Sequence, residues 1–224
     1  MVMKLKSKFF FRRLSTFSMV ARCPKTLALG ICVASGSLAV GSAVPYLEPN
    51  VGALAVQGYT NPTHGINGLK LLRKGIPPKD LIDILLRDDS LRETRQIIVI
   101  DIFGQKAAFT GRETFEWKGH LIGEDYVAAG NLLVSGEVLE AMARAFEESE
   151  GEGLAERLIK ALEAGEKAGG DVRGSFSAAL KVAEKKPISE SRPMIDLRVD
   201  LHNEPVKELR RVFEAYKDWL GLNR

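Results

Sequence analysis

Ser15-Thr16-Phe17-Ser18-Met19-Val20-Ala21-Arg22, followed by Leu27-Ala28-Leu29-Gly30-Ile31-Cys32-Val33-Ala34-Ser35, decides how this chain reads. Alternation in the first half sends Phe17, Met19 and Ala21 to one face and Thr16, Ser18 and Val20 to the other, the period of a strand. Cys23-Pro24-Lys25-Thr26 supplies a turn. The second half is apolar almost throughout, so the pair reads as a β-hairpin buried on both faces. A hydroxyl at the head of a buried strand is either an ordinary strand start or a nucleophile. The second role requires the chain to be cut, so that the α-amino group of the new first residue serves as base.

Around this hairpin the composition is that of a globular protein, 45% apolar and 27% charged over 224 residues, enough for one domain with a full core. The expected organisation is a basic tail over residues 1–14 and one domain over 15–224. Lys and Arg total 32 against 29 Asp and Glu. Much of that excess lies in the tail, at Lys4, Lys6, Lys8, Arg12 and Arg13, so the body is nearly neutral and gives nucleic-acid binding no support. Arg12-Arg13 interrupts the apolar residues of the tail, which therefore lacks the hydrophobic region of a signal peptide. No stretch reaches the roughly 18 apolar residues that span a bilayer. A cytoplasmic protein without a membrane partner is expected, its tail a propeptide, an extension or a misplaced start. Cys23 and Cys32 form neither a CxxC nor a metal-ligand spacing, and read as buried thiols, although neighbouring strands can bring two such residues together.

Downstream, Gly36 to Pro45 is small and glycine-punctuated, a loop, and Val51 to Tyr59 is a third apolar strand. A polar loop, Thr60 to Gly65, leads into helices over about Ile66 to Arg73 and Lys79 to Arg87, the latter opened by Pro77-Pro78. Arg95–Asp101 and Lys106–Thr110 form a second hairpin around Phe103-Gly104. Tyr126 to Asn131 is a strand, Ser135 an N-cap for a helix reaching about Glu148, and Leu154 to Lys167 an amphipathic helix. Ser177–Ala183 and Met194–Asp200 are the last strands, and a helix runs from Pro205 through Leu220. Runs of strands alternating with helix pairs favour stacked antiparallel sheets over a βαβ nucleotide fold.

There is no GxGxxG after a strand, no GxxxxGK[ST], no HExxH and no GxSxG. His64, His120 and His202 show no ligand spacing, and neither a metal nor a cofactor is expected. Gln57, Asn61, His120 and Asn131 follow buried strands and either line a pocket that holds an oxyanion or are satisfied loop polars. Asp171, Arg173, Asp196, Arg198 and Asp200 read first as a solvated strand face with ion pairs.

Several segments taken together resemble the family called domain of unknown function 1028. They are Thr16-Phe17-Ser18-Met19-Val20-Ala21-Arg22, Val33-Ala34-Ser35, Gln57-Gly58-Tyr59-Thr60-Asn61-Pro62, Trp117-Lys118-Gly119-His120, Gly130-Asn131-Leu132, Gly169-Gly170-Asp171-Val172-Arg173-Gly174 and Asp196-Leu197-Arg198-Val199-Asp200. They keep the family's order from Thr16 to about Leu220. The resemblance implies membership of the N-terminal nucleophile hydrolase superfamily and an α+β fold, a four-layer αββα sandwich of two antiparallel sheets. It also implies a catalytic Thr16 whose Oγ attacks an amide while its own α-amino group takes the proton. Ser15 is the alternative nucleophile if processing exposes it, and Asn61 and Asn131 are the expected orienting or oxyanion-binding groups. Ser35, Gln57, Asn61, His120, Asp171 and Arg173 are the implied substrate-binding residues. The chain departs from the family where fourteen residues and Ser15 precede Thr16, at Ala129 where relatives often carry glutamine, and at Ser175-Phe176. No lysine is placed to assist Thr16.

The expected function is thus an amidohydrolase acting on a peptide or small amide. The alternatives are a non-catalytic binder of a small ligand and a structural subunit of a homo-oligomer, the assembly expected of this architecture.

Overall fold

The computed structural model describes residues 13, 14, 16–184 and 195–221. Ser15, most of the basic tail and Met194 lie outside the described residues. The first hairpin forms as its alternation requires. β2 (Thr16–Arg22) and β3 (Leu29–Ser35) pair antiparallel from Phe17↔Ala34 to Arg22↔Leu29, around a turn at Cys23–Ala28. Every residue from Thr16 to Ala21 and from Leu29 to Ser35 is buried.

These two strands are the centre of one sheet. β9 (Tyr126–Asn131) joins β2 on one side, with β8 (Gly119–Ile122) beyond it. β10 (Ser177–Ala183) joins β3 on the other, followed by β11 (Ile195–Val199). The second sheet runs β1 (Arg13–Leu14), β5 (Gly52–Tyr59), β6 (Arg95–Asp101), β7 (Lys106–Thr110), with β4 (Pro45–Glu48) also on β5. Every pairing in both sheets is antiparallel.

The two faces of each strand feed different cores. Phe17, Met19 and Ala21 pack with residues of α3 (Glu137–Glu148), α4 (Leu154–Lys167) and α5 (Pro205–Leu220), among them Met142, Leu158 and Phe213. Val20, Ile31, Val33 and Ala129 meet Ala53, Ala55, Ile98 and Ile100 of the other sheet. That sheet's outer face, Leu54, Val56, Ile97 and Val99, packs on Leu72 of α1 (Pro62–Arg73) and on Leu81, Leu85 and Leu86 of α2 (Pro78–Leu86). The protein is therefore an α+β fold of four layers, helices outside and two antiparallel sheets inside.

Departures from the sequence reading are local. α1 begins at Pro62 rather than near Ile66, because Asn61 Oδ1 accepts from Thr63 N (3.1 Å) and caps it. β4 starts at the last residue of the expected Gly36–Pro45 loop and runs through a stretch the sequence assigned to no element, and β8 begins within the Trp117–His120 motif. Both are four residues long, β4 opens on a proline, and β8 at the sheet's edge has only Gly119 and Leu121 partly covered. Short edge strands escape a burial-based reading. Ser135 is not the residue that caps α3. Gly136 takes that place, while Ser135 Oγ accepts from Glu137 N at 3.3 Å. The register puts Cys32 opposite Met19, not Cys23. Burial pushes the Cys32 thiol up to about 12. Cys23 is only half-buried, a correction to the expectation of two buried thiols.

Candidate active site

The apolar seam between the sheets turns polar at one end. Thr16, Ser35 and Asn131 share one sheet's inward face, because they continue the alternation of Val20, Val33 and Ala129. Thr16 stands opposite Asn131 in the β2–β9 register. One step beyond Phe17↔Ala34 it meets Ser35, and Ser35 in turn meets Ser177. All four side chains are fully buried. From the other sheet, Gln57 and Gln96 continue the inward faces of β5 and β6, and both are fully buried as well.

Hydrogen bonds join the two sheets here. Ser18 Oγ donates to Gln57 Oε1 (2.7 Å), and Gln57 Nε2 donates to Gln96 Oε1 (2.8 Å) and to Ala129 O (3.2 Å). Gln96 Nε2 lies 2.9 Å from both Gly119 O and Gly130 O, and 3.0 Å from Thr110 Oγ1. Thr110 Oγ1 is also 2.9 Å from His120 Nδ1.

Backbone carbonyls accept only, so they fix the orientation of both glutamine amides. Gln96 must then present Oε1 to Asn131, whose Nδ2 donates to it at 2.9 Å. That leaves Asn131 Oδ1 as a buried acceptor with no partner. Such an atom costs about 1–3 kcal/mol unless something donates to it. Its strand position faces Thr16.

A second polar cluster lies beside the end of β3. Asp171 is buried, and its carboxylate accepts from Gly36 N (2.8 Å), Arg173 N (3.0 Å), Arg173 Nε (3.0 Å) and Arg173 Nη2 (2.8 Å). Asp171 also bridges to Leu133, two residues past Asn131. Ser35 Oγ accepts from Ser37 N, and Ser177 Oγ donates to Ser37 O and accepts from Val40 N. The Ser35-Gly36-Ser37 turn is thereby pinned from two sides. Asp196 pairs with Lys181 and Arg198 with Asp200 at half-exposed or exposed positions, the solvated ion pairs the sequence suggested.

The structure thus brings Thr16, Ser35, Asn131 and Gln57 into one layer and ties His120 to it through Thr110. Asp171 and Arg173 brace its border. Asn61 is used elsewhere, as the cap of α1, with Nδ2 3.4 Å from His64 Nε2. Gln96 belongs to the layer and was not singled out from sequence. Its signal was present, since a glutamine breaks the inward apolar run of β6 at Gln96, Ile98 and Ile100. Another network lies behind the end of β5. Arg95 Nε and Nη2 donate to Asp89 (2.8 and 3.1 Å), Arg95 Nη1 donates to Tyr59 O, and His64 Nε2 lies 2.6 Å from Asp89 Oδ2. Burial pushes the Asp89 carboxyl up, but hydrogen bonds from Arg95 and His64 outweigh it and hold the group well below the usual carboxylate range.

The layer contains a hydroxyl at a strand head and amide donors and acceptors. β3 adds no base on that face, where it presents Leu29, Ile31, Val33 and Ser35. Among the described residues no group of three or more His, Cys, Asp or Glu is arranged to hold a metal. No helix among them is long and apolar enough to cross a membrane.

Comparison with known proteins gives a family. The model described as a family of unknown function, DUF1028, matches residues 16–209. The crystal structure of SPO2555 from Silicibacter pomeroyi, assigned to the same family, is similar at 36% identity and a TM-score of 0.83, over 91% of this chain and 86% of that one. The ancestral β-subunit Anbu from Yersinia bercovieri aligns over 93% of this chain and 97% of its own at 9% identity, with a TM-score of 0.44. No curated protein matches.

Proposed function

The chain belongs to the DUF1028 family, and from that premise and the buried polar layer we propose that it is an N-terminal nucleophile hydrolase of amide bonds, with Thr16 as nucleophile. The observation that carries this reading is the pairing of Thr16, at the head of a buried strand, with the unpartnered Asn131 Oδ1. While residue 15 is attached, the nitrogen of Thr16 is an amide and takes no proton. Cleavage before Thr16 converts it to an amine with an ordinary pKa of about 7.7–8.0. An ammonium or amine N–H at that position is the donor that Asn131 Oδ1 lacks. The family match itself opens at Thr16.

The chemistry then balances without any other base. The free amine accepts the Thr16 hydroxyl proton as Oγ bonds to the amide carbonyl carbon. The same amine returns that proton to the leaving nitrogen as the C–N bond breaks, leaving an ester on Oγ. Water, deprotonated by the amine, attacks the ester and releases the acid, and Oγ recovers its proton. Asn131 positions the amine, with Gln96 and Gln57 holding Asn131 in its orientation. Ser35 and Gly36 border the substrate, their turn braced by Asp171 and Arg173. His120 reaches the layer only through Thr110.

The test is the N-terminal sequence and intact mass of the protein from its native host, followed by an amide-hydrolysis panel on wild type and Thr16→Ala. A chain beginning at Thr16 with hydrolysis lost in Thr16→Ala is expected. A chain beginning at Met1, or hydrolysis unchanged in Thr16→Ala, overturns the reading. A start at Ser15 transfers the nucleophile to that residue. The second reading, a non-catalytic binder of a small ligand, is favoured by one observation: Arg13–Leu14 is paired into the second sheet, as in a chain that stays whole.

A further inference from the structure

β5 is paired unevenly along its two sides. β6 covers one side from Gly52 to Gly58, whereas β4 covers the other only from Gly52 to Ala55. Beyond that point the second side is an edge, and Arg13–Leu14 fills it, Arg13 opposite Tyr59 and Leu14 opposite Gly58. A chain that adds to a sheet edge is held by main-chain hydrogen bonds and read through its side chains.

The edge has a cavity beside it. About 320 Å³ in volume, it is lined by Gly58 and Tyr59 themselves and by Leu91, Thr94, Glu113, Thr114 and Phe115. That volume is at the small end of ligand pockets, the size of one large side chain rather than a whole cofactor. Its lining is mixed: Tyr59, Leu91 and Phe115 supply apolar surface, Thr94 and Thr114 hydroxyls, and Glu113 a carboxylate. The walls are anchored. Tyr59 O accepts from Arg95, whose guanidinium carbon lies 5.6 Å from the Tyr59 ring centroid, and Asp89 grips Arg95 twice. Phe115 O accepts from Leu132 N (3.0 Å), so the far wall is fastened to the residue after Asn131. Gly58 allows this close arrangement at φ 75°, where a Cβ would lie 2.7 Å from Thr94 O.

We propose that the β5 edge at Gly58–Tyr59, with this cavity, receives an extended peptide whose second and third residues on the acyl side of the attacked bond pair with Gly58 and Tyr59. In the whole chain Leu14 and Arg13 hold those places. The cavity selects a large apolar or aromatic side chain and repels an acidic one. The proposal deepens the hydrolase reading, on which it rests, by naming a peptide rather than a small amide as substrate. It also makes the whole chain self-blocked, its own segment occupying the substrate's path.

The test uses the full chain and its Arg13→Pro and Leu14→Pro variants, because proline removes the strand N–H at whichever position donates. Amide exchange at Gly58 and Tyr59, read by NMR, is expected to speed up at least tenfold in one variant. A capped synthetic peptide of residues 10–14 restores the protection, and the same peptide with aspartate at both of its last two positions does not. Leu91→Trp, at an exposed rim position, narrows the cavity and weakens the native peptide's protection at least fivefold. Unchanged exchange in both proline variants, equal protection by both peptides, or full protection in Leu91→Trp overturns the proposal. Carrying the experiment into a Thr16→Ala background separates it from the catalytic reading. Protection retained with no hydrolysis in any Thr16 protein sinks only the catalysis, whereas hydrolysis of small amides without peptide protection sinks only this proposal.

Discussion

Asn131 stands opposite Thr16 in the register of β2 and β9, and its Oδ1 is buried without a partner while its Nδ2 is committed to Gln96 Oε1. An oxygen that accepts from an ammonium favours the charged form, so in a processed chain it raises the pKa of the Thr16 amine. Asn131→Ala removes one hydrogen bond and one orphaned acceptor together, and Gln96 Oε1 keeps its bond from Gln57. The expected stability change is therefore small, below about 1.5 kcal/mol in denaturant unfolding. Hydrolysis should fall at least tenfold, and its rise with pH should move to lower pH as the amine pKa drops. An unshifted pH profile would remove Asn131 from the positioning role.

Gln96 is the hub of the polar layer. Replacing it by leucine removes the acceptor of Asn131 Nδ2, one of the two acceptors of Gln57 Nε2, and the side-chain donor to Gly119 O and Gly130 O. Several unsatisfied buried groups at about 1–3 kcal/mol each predict a loss of more than 3 kcal/mol. Urea titration is the measurement, with the slope expected to stay that of wild type. A loss under 1 kcal/mol would mean that water or rearranged side chains satisfy the layer.

Asp89 fastens the end of β5 through Arg95. Its folded pKa lies below the ordinary value, so its contribution is present above about pH 4 and is lost as pH falls through the lowered pKa. Asp89→Asn is expected to cost about 3 kcal/mol at pH 7 by leaving the Arg95 guanidinium poorly paired, with both side chains at most 9% exposed. It should also flatten the acid limb of the stability curve below pH 4. A variant with the wild-type acid limb would assign acid unfolding to other carboxylates.

The hairpin, the layer order and the helix faces were legible because they rest on period and burial, which composition carries directly. Thr16, Ser18 and Val20 against Phe17, Met19 and Ala21 separated the inter-sheet face from the helix face, and the structure divides them the same way. The site was less legible, because its members become a site only through register. Nothing in the sequence says that Asn131 meets Thr16, that Gln96 spans from the other sheet, or that Asn61 is consumed by the cap of α1. Asp171 read as a surface charge because its partners, Gly36 N and the Arg173 side chain, come partly from a turn 135 residues away.

Glu166 gives the pH dependence of opposite sign. Burial and the neighbouring Asp171 charge push its carboxyl above the ordinary glutamate value, against the lowering effect of a 2.6 Å bond from Ser175 Oγ. A raised folded pKa means that the native state holds a proton the unfolded chain releases. The associated stability is complete below the unfolded value of about 4.3 and is lost as pH rises through the folded value. Glu166→Gln is always neutral and can still accept from Ser175 through Oε1. Thermal melts of wild type should therefore fall across that window relative to Glu166→Gln, with the two converging below about pH 4 and the variant the more stable at pH 7. Since the Asp89 limb lies below about pH 4 and the Glu166 limb occupies the window above it, one pH series on the two variants separates them. Parallel curves for wild type and Glu166→Gln from pH 4 to 8 would show that Glu166 ionises in the fold as readily as in the open chain, and that the Asp171 cluster carries no strain.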